Sequence, residues 1–515
     1  MAHRLKMAAL WLGGVFVIWA VVGATWRWRA YEPSSGDLLL GLIGVPAPLI
    51  GGYLLLQRVL GGMLQPPASE ASIRTQAVAV TMPKDMASLT AQLPWLWVLG
   101  GSVKLSTGGA DELRQACIEG VRPGLDAELR DAQGFPVMAA RVAELDAVDA
   151  QAWWDGVDLD GVLPWVRGWL LQLPAARVRE LRLLTDVLTD GAMAVEREWL
   201  EAATPQVAAS AAPARFSGVR AESDAQLPTV HVRLALQAWA PSEGGQLQSL
   251  VQTWLQRAVP ALHFDVQMYS GGAAEQQKDF PWPAALLQDR DGILMGSASE
   301  SSTREGLWLL AAAHSDVSQP EVDRLGAAGR LYGPQRREGW IAGEGAAAMV
   351  LLRHDPEHMP AMATALQRFP VIAMARVAPA AEAAGALGPQ MLAPMLESCG
   401  VPAAAVTRVL CDADHRSGPA MEAAMLLSQQ FPDLSLEKDC AMVGVPSGHT
   451  AGVAALASLV LAAEFAVEEQ RAAFAIALAS ASWRAAALLM PPGWPATKTP
   501  DGAEAEAPTY RGAKA

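Results

Sequence analysis

The chain has 515 residues, 51% apolar and 18% charged, which excludes a disordered polymer and implies a large core, membrane segments or both. Lys and Arg number 39 against 53 Asp and Glu, a net charge of -14, so no basic excess exists to neutralise phosphates and nucleic acid is not an expected partner. Four cysteines (Cys117, Cys399, Cys411 and Cys440) exclude a disulfide scaffold, include no C-x-x-C pair for structural zinc, and fit a reducing compartment.

Residues 7–26 carry no charge. As a helix they would span about 30 Å, the thickness of a bilayer's hydrocarbon core. A second uncharged run, residues 38–57, lies between Asp37 and Arg58 and contains Pro46 and Pro48, which a membrane helix tolerates as a kink. Trp26, Trp28, Tyr31 and Tyr53 fall near the interfaces, where amphipathic rings settle. The rival reading of the first run is a cleaved signal peptide, but the run is long for an h-region. A two-helix transmembrane hairpin over residues 1–65 is therefore expected. Arg4, Lys6 and Arg58 mark one side and Arg27 and Arg29 the other, so charge alone hardly decides orientation.

Residues 66–226 read as a soluble α/β region. It has apolar runs at 77–80 and 96–103, helical spacing at 111–120 and 178–200, and an Ala-, Ser- and Pro-rich linker at 205–228. Residues 227–490 alternate short apolar strands with helices, the signature of a layered α/β domain. Strands are expected at 307–313, 346–352, 406–411 and 441–445, helices at 419–431 and 450–464, and a closing hairpin at 474–478 and 485–490. Residues 491–515 read as a disordered tail.

Four stretches of this second region resemble ketosynthases, the 3-oxoacyl carrier-protein synthases of the thiolase-like fold. Residues 307–317 (LWLLAAAHSDV) look like their central strand. Residues 340–352 (WIAGEGAAAMVLL) are close to their G-E-G-A-A strand, 408–422 (RVLCDADHRSGPAME) take the place of H-G-T-x-T, and 443–456 (VGVPSGHTAGVAAL) resemble the second-histidine segment K-x-x-x-G-H-x-x-G-A-A-G. The resemblance implies a thiolase-like fold but not its chemistry. A ketosynthase takes its acyl group on a cysteine thiolate upstream of the central strand, and no cysteine lies between Cys117 and Cys399. Asp412 stands where the first histidine belongs, and its carboxylate would repel an enolate. The lysine falls at Val443 or Gly444, and the family's final Gly-rich loop matches Ala479 to Ser482, which holds no glycine. His449, preceded by Gly448, is what remains, so His449, Asp412 and Gly448 make up a remnant site expected near one another, with Cys411 a buried core thiol.

Other candidates read more simply as structure. His449 reads as a histidine packed at the start of a helix. Asp412, Asp414 and His415 alternate in direction and read as a polar loop. His354 and His358 share metal-pair spacing, but Pro356 lies between them and no H-E-x-x-H is present. Gly343-Glu344-Gly345 lacks the Lys-Ser/Thr of a phosphate loop and reads as a turn. No metal site, cofactor or G-x-S-x-G elbow is expected. Trp153, Trp154, Trp165 and Trp169 form an aromatic stripe whose default reading is core packing. Adjacent indoles cannot both enter one helical core face, so Trp153 and Trp154 are candidate partner-binding residues.

A membrane hairpin joined to a thiolase-like region without its catalytic residues resembles the type VI secretion lipase adaptors. That resemblance implies a non-enzymatic protein that binds a phospholipase effector in the cytoplasm and hands it to the spike protein, anchored in a bacterial inner membrane through residues 7–57. The alternatives are a divergent condensing or acyl-transfer enzyme using His449, and an acyl-chain or carrier-protein binding module.

Overall fold

Strands with no polar interruption are buried on both faces, and here they bring two layers of core together. A computed structural model describes residues 96–147, 150–157, 163–210, 229–236, 239, 243–270, 306–353, 366–379, 387–480 and 483–494. The expected membrane hairpin, the run at 77–80, the His354 and His358 pair, residues 211–228 and most of the tail lie outside these residues. Among the described residues no helix is long and apolar enough to cross a membrane.

The strands are β1 (Leu96–Leu105), β2 (Gly124–Arg130), β3 (Pro136–Ala140), β4 (Thr229–Leu236), β5 (His263–Ser270) and β6 (Gly306–Ser315). After these come β7 (Ala342–Arg353), β8 (Val371–Pro379), β9 (Val406–Cys411), β10 (Cys440–Met442), β11 (Ala472–Ala477) and β12 (Trp483–Met490). They run in the order β10-β9-β11-β12-β8-β1-β7-β6-β4-β5, with the β2/β3 hairpin attached to β7. One topology is used twice. From the outer edge inward, each half places its third, second, fourth, fifth and first strands. The pairs β5/β4 and β4/β6 are parallel and β6/β7 and β7/β1 antiparallel. In the other half β10/β9 and β9/β11 are parallel and β11/β12 and β12/β8 antiparallel. The halves join where β1 meets β8, at Leu96 opposite Ile372 and Trp97 opposite Val371.

Seven helices position the core and the site: α1 (Ala150–Val157), α2 (Ala175–Ser210), α3 (Gly244–Ala258), α4 (Gln319–Ala327), α5 (Ser417–Gln430), α6 (Gly444–Ser447) and α7 (Val453–Glu469). In β6, Leu309, Ala311 and Ala313 face the α2 and α3 layer, while Trp308, Leu310 and Ala312 face α7. In β11, Ala473 and Ala475 face α7, while Ala472, Phe474 and Ile476 join Leu426 and Leu427 of α5. The helix α7 touches strands of both halves and is buried from Val453 through Ala463. The layers therefore run helix, half-sheet, α7, half-sheet, helix. A central helix shielded on every side must be apolar all round, and VAALASLVLAA is so but for Ser458, whose hydroxyl donates to Ala454 O within the helix.

The layered α/β class expected from the sequence is present, and the differences are local. Residues on both sides of the expected boundary at 226/227 share this one sheet, because β1 pairs with β7 and β8. The Ala-rich start of the expected linker continues α2 as far as Ser210. Gly343, Glu344 and Gly345 lie within β7 rather than in a turn, since each pairs across to a neighbouring strand. The strand expected at 441–445 is Cys440–Met442, and Gly444 then opens α6. At the tail, Trp494 N–H turns back on Pro491 O and its ring packs against the core cluster that includes Phe474 and Leu488.

Candidate functional site

The end of β6 and the loop after α6 come together through backbone. Asp316 N–H donates to Gly343 O (2.9 Å), and His449 N–H donates to Ile341 O (2.8 Å). Two glycines make the approach possible. A Cβ at Gly343 would collide with Ser447 O, and Gly448 adopts φ 66°, where side chains are strained. The loop so placed sets His449 Nδ1 2.7 Å from Asp316 Oδ2. His314 Nε2 lies 3.0 Å from the same oxygen, close enough for charge pairing but not aligned as a hydrogen bond. The two imidazoles meet edge to face at 5.2 Å, and the Trp340 indole stacks on His449 at 3.9 Å with 5° between planes. Arg330 sits 5.0 Å over Trp340, and Arg324 reaches Asp316 Oδ1 at 3.4 Å.

Burial opposes every charge here, and the partners decide which survive. Burial pushes the Asp316 carboxyl up, but the His314 charge and the nearby nitrogens of both imidazoles hold it well below the usual carboxylate range. Burial disfavours the His314 imidazolium, yet Asp316 and then Glu180 outweigh it and raise its pKa. For His449 burial wins over the Asp316 hydrogen bond, and its pKa falls. The arrangement is thus a carboxylate between one imidazole that favours its proton and one that releases it.

The expected remnant trio does not assemble as a unit. Gly448 shapes the loop, but His449 pairs with Asp316, a residue not singled out in the sequence. Asp412 acts elsewhere. Its Oδ1 accepts the Leu478 and Ala479 N–H groups (Ala479 at 2.9 Å), closing the turn after β11. The Asp414 carboxylate takes the Arg416 guanidinium at 2.8 Å, and His415 Nε2 lies 2.9 Å from Gly339 O. Asp412 and Asp414 are buried rather than solvated, each with its own partners, and the three side chains do not converge.

Cys411 is a buried thiol, held well above its usual pKa by its hydrogen bond with Cys440 and by burial. Burial raises Cys117 to about 12 and Cys399 to about 11. None of these three is a ready thiolate.

Trp154 corrects an expectation: only 3% exposed, it belongs to the core beneath α2 and is not a surface anchor. Trp153 is partly buried, stacked on Trp254 at 6.1 Å with Arg182 over its ring. Adjacent indoles on α1 leave the helix about 100° apart, and α1 has neighbours on both sides to receive them. Trp165 and Trp169, expected as core, pack against the same cluster.

Asp412 supports a prediction of its own. Burial, only partly offset by the two N–H groups, raises its pKa to about 6. A raised folded-state pKa means the folded chain holds this proton more tightly, so the group's stability contribution is full below about pH 4 and is lost as pH rises through about 6. Asp412→Asn keeps an acceptor oxygen and removes the charge. The stability difference, variant minus wild type, is expected to grow in the variant's favour by on the order of 2 kcal/mol between pH 4 and pH 7. Urea unfolding at a series of pH values checks this, and a flat difference would show that Asp412 ionises freely.

No family model matches the sequence, and no curated protein matches it. Among solved structures, the chain is similar to a type II polyketide ketosynthase in complex with its acyl-carrier protein, with 12% identity over 78% of this chain and 100% of that one, TM-score 0.46. The ishigamide ketosynthase/chain length factor has 13% identity over 77% and 99% of the two chains, TM-score 0.45. A beta-ketoacyl synthase from Burkholderia phymatum has 13% identity over 78% and 100%, TM-score 0.41. These likenesses concern fold alone, and a layered α/β arrangement is what the chain has in common with them.

Proposed function

We propose that this chain is a non-condensing binding protein on a ketosynthase-like frame, serving as a membrane-anchored adaptor that carries a type VI secretion phospholipase effector to the spike protein. The observation that supports the non-condensing part is the state of His449. Its Nδ1 is engaged by Asp316, one ring face is covered by Trp340, and the adjacent Gly448 is packed against Ile341 O, 2.9 Å from where a Cβ would stand. The adaptor role and the inner-membrane, cytoplasm-facing placement rest on the sequence resemblance and on residues 7–57.

With Trp154 in the core, the exposed apolar side chains of residues 118–135 take its place as the docking candidates. Phe135, between β2 and β3, is 66% exposed, and Ile118 and Leu125 are exposed with it. Aromatic anchors of this kind contribute about 2 kcal/mol or more to an interface.

The second reading is a divergent acyl-transfer enzyme or acyl-carrier-binding module centred on His449. It takes its cue from the solved ketosynthase held with its acyl-carrier protein.

One experiment separates the two. The full chain in detergent is offered a purified lipase effector, the spike protein and a loaded acyl-carrier protein. The effector is expected to be captured by wild type and His449→Ala alike, and about tenfold or more weakly by Phe135→Ala. Capture of the acyl-carrier protein, or an acyl adduct by intact mass that His449→Ala abolishes, would replace the adaptor with the second reading.

A further inference from the structure

His314, Asp316 and His449 are the kinds of side chain that hold a metal, and one ligand atom from each lies within 4.8 Å of the others. They come from two distant segments locked to β7 by backbone hydrogen bonds, so their positions are set before any ion arrives. A second observation points to a missing partner. His314 is only 6% exposed, yet neither ring nitrogen has a hydrogen-bond partner among the described residues. Burying an imidazole with one nitrogen unpartnered and the other only charge-paired costs free energy that native interiors avoid. Its Nε2 is nevertheless turned toward Asp316 Oδ2, at 3.0 Å. Asp316 Oδ1 is steadied by Arg324, which leaves Oδ2 for the shared point. Glu180, fully buried near His314 with Oε1 unpartnered, adds a second carboxylate charge beside that ring.

We propose that His314 Nε2, Asp316 Oδ2 and His449 Nδ1 hold one divalent first-row transition-metal ion. Two imidazoles and one carboxylate suit iron(II), cobalt(II), nickel(II) or zinc and disfavour magnesium and calcium, which prefer all-oxygen sets. With bonds of about 2.1 Å, ligands at right angles stand about 3.0 Å apart. The His314–Asp316 separation of 3.0 Å already meets that spacing, and the His449–Asp316 separation of 2.7 Å opens by a few tenths of an ångström. The ligands occupy one face of the ion, and the remaining positions are left to water or another donor. Because the ligands come from β6 in one half and the α6 loop in the other, the ion is a staple across the halves. This inference does not rest on the adaptor reading.

The full chain, purified in detergent with a tag free of histidine, is stripped with chelator and titrated with cobalt(II) and zinc. One equivalent is expected to bind at micromolar Kd or tighter, uncompeted by millimolar magnesium. Unfolding should then shift upward in temperature, as for any ligand of the folded state. Asp316→Asn and His314→Ala are expected to weaken binding about tenfold or more each, since deprotonated ligands make the site. X-ray absorption on the unmutated chain keeps the test independent of variant folding: imidazole scattering in the first shell is expected. Failure of the folded wild type to take up one equivalent overturns the proposal. A first shell without imidazole, or unchanged affinity in the double variant of Asp316 and His314, does so equally.

Discussion

Glu344→Ala is expected to lower stability by about 3–5 kcal/mol, the scale on which one partner is removed from a buried ion pair. Glu344 lies fully buried in β7 with all its hydrogen-bonding capacity used. Oε2 accepts from Arg179 Nε (2.7 Å) and the Ser315 hydroxyl (2.9 Å), and Oε1 from a second Arg179 nitrogen (2.5 Å) and the Val142 N–H (2.8 Å). Truncation strands a mostly buried guanidinium, a backbone N–H and a hydroxyl at once. Arg179 keeps Asp146 as a partner, which limits the loss. Chemical unfolding followed by tryptophan fluorescence measures it. Arg179→Ala should cost a similar amount, and the double variant less than the two added together. A loss below about 1 kcal/mol in Glu344→Ala would mean that the pair contributes no more than a surface bridge.

Gly343→Ala is expected to cost about 3 kcal/mol, at the upper end for a single added carbon. The new Cβ would collide with Ser447 O and would lie 2.9 Å from His449 O and 3.0 Å from His449 N. These are backbone atoms of a loop that β7 itself pins, so they cannot swing aside as a side-chain tip would. The loop must lift, and with it the His449 ring leaves Asp316. Weakened metal uptake alongside the lost stability is the signature. Gly418→Ala is the control: nothing lies within 4 Å of its Cβ position in α5, so the change should be neutral or slightly stabilising. Equal behaviour of the two variants would refute the close-approach account.

Much of the layered core was legible because a strand covered on both faces must be apolar at every position. β11 and the middles of β6, β7 and β12 announce themselves in this way, whereas β9 carries the half-buried Thr407 and Arg408 and shows only a short apolar end. The place of β1 did not. LWVLGGSVKL reads as a strand, but nothing in it states that its neighbours are β7 and β8. The expected separation at 226/227 followed from a local change of composition, whereas sheet membership is a long-range property. The remnant site was half legible. His449 stood out through its segment, but Asp316 lies 133 positions away in a stretch notable only for its apolar run. Asp412 was found and misplaced, because spacing locates a carboxylate while its partners, two backbone N–H groups after β11, emerge only on folding. Trp154 shows the same limit. Helical spacing states the angle between two rings, not how many neighbours surround the helix.

The position of β1 also sets a problem of timing during synthesis. It leaves the ribosome before either strand that will flank it. β7 follows roughly 240 residues later, and at about 5–20 residues per second that is a wait of roughly ten to fifty seconds. Until then the start of β1, Leu96–Leu99, buried in the folded protein, has two unpaired edges; α2 follows early enough to cover one face, and α7, which covers the other, is made later still. The first half cannot close early and shelter it, because that half needs β7 beside β1. Both halves need α7 between them. The nascent chain therefore carries β1 with open edges through the interval, and slowing translation between residues 105 and 342 is expected to lower the yield of folded protein.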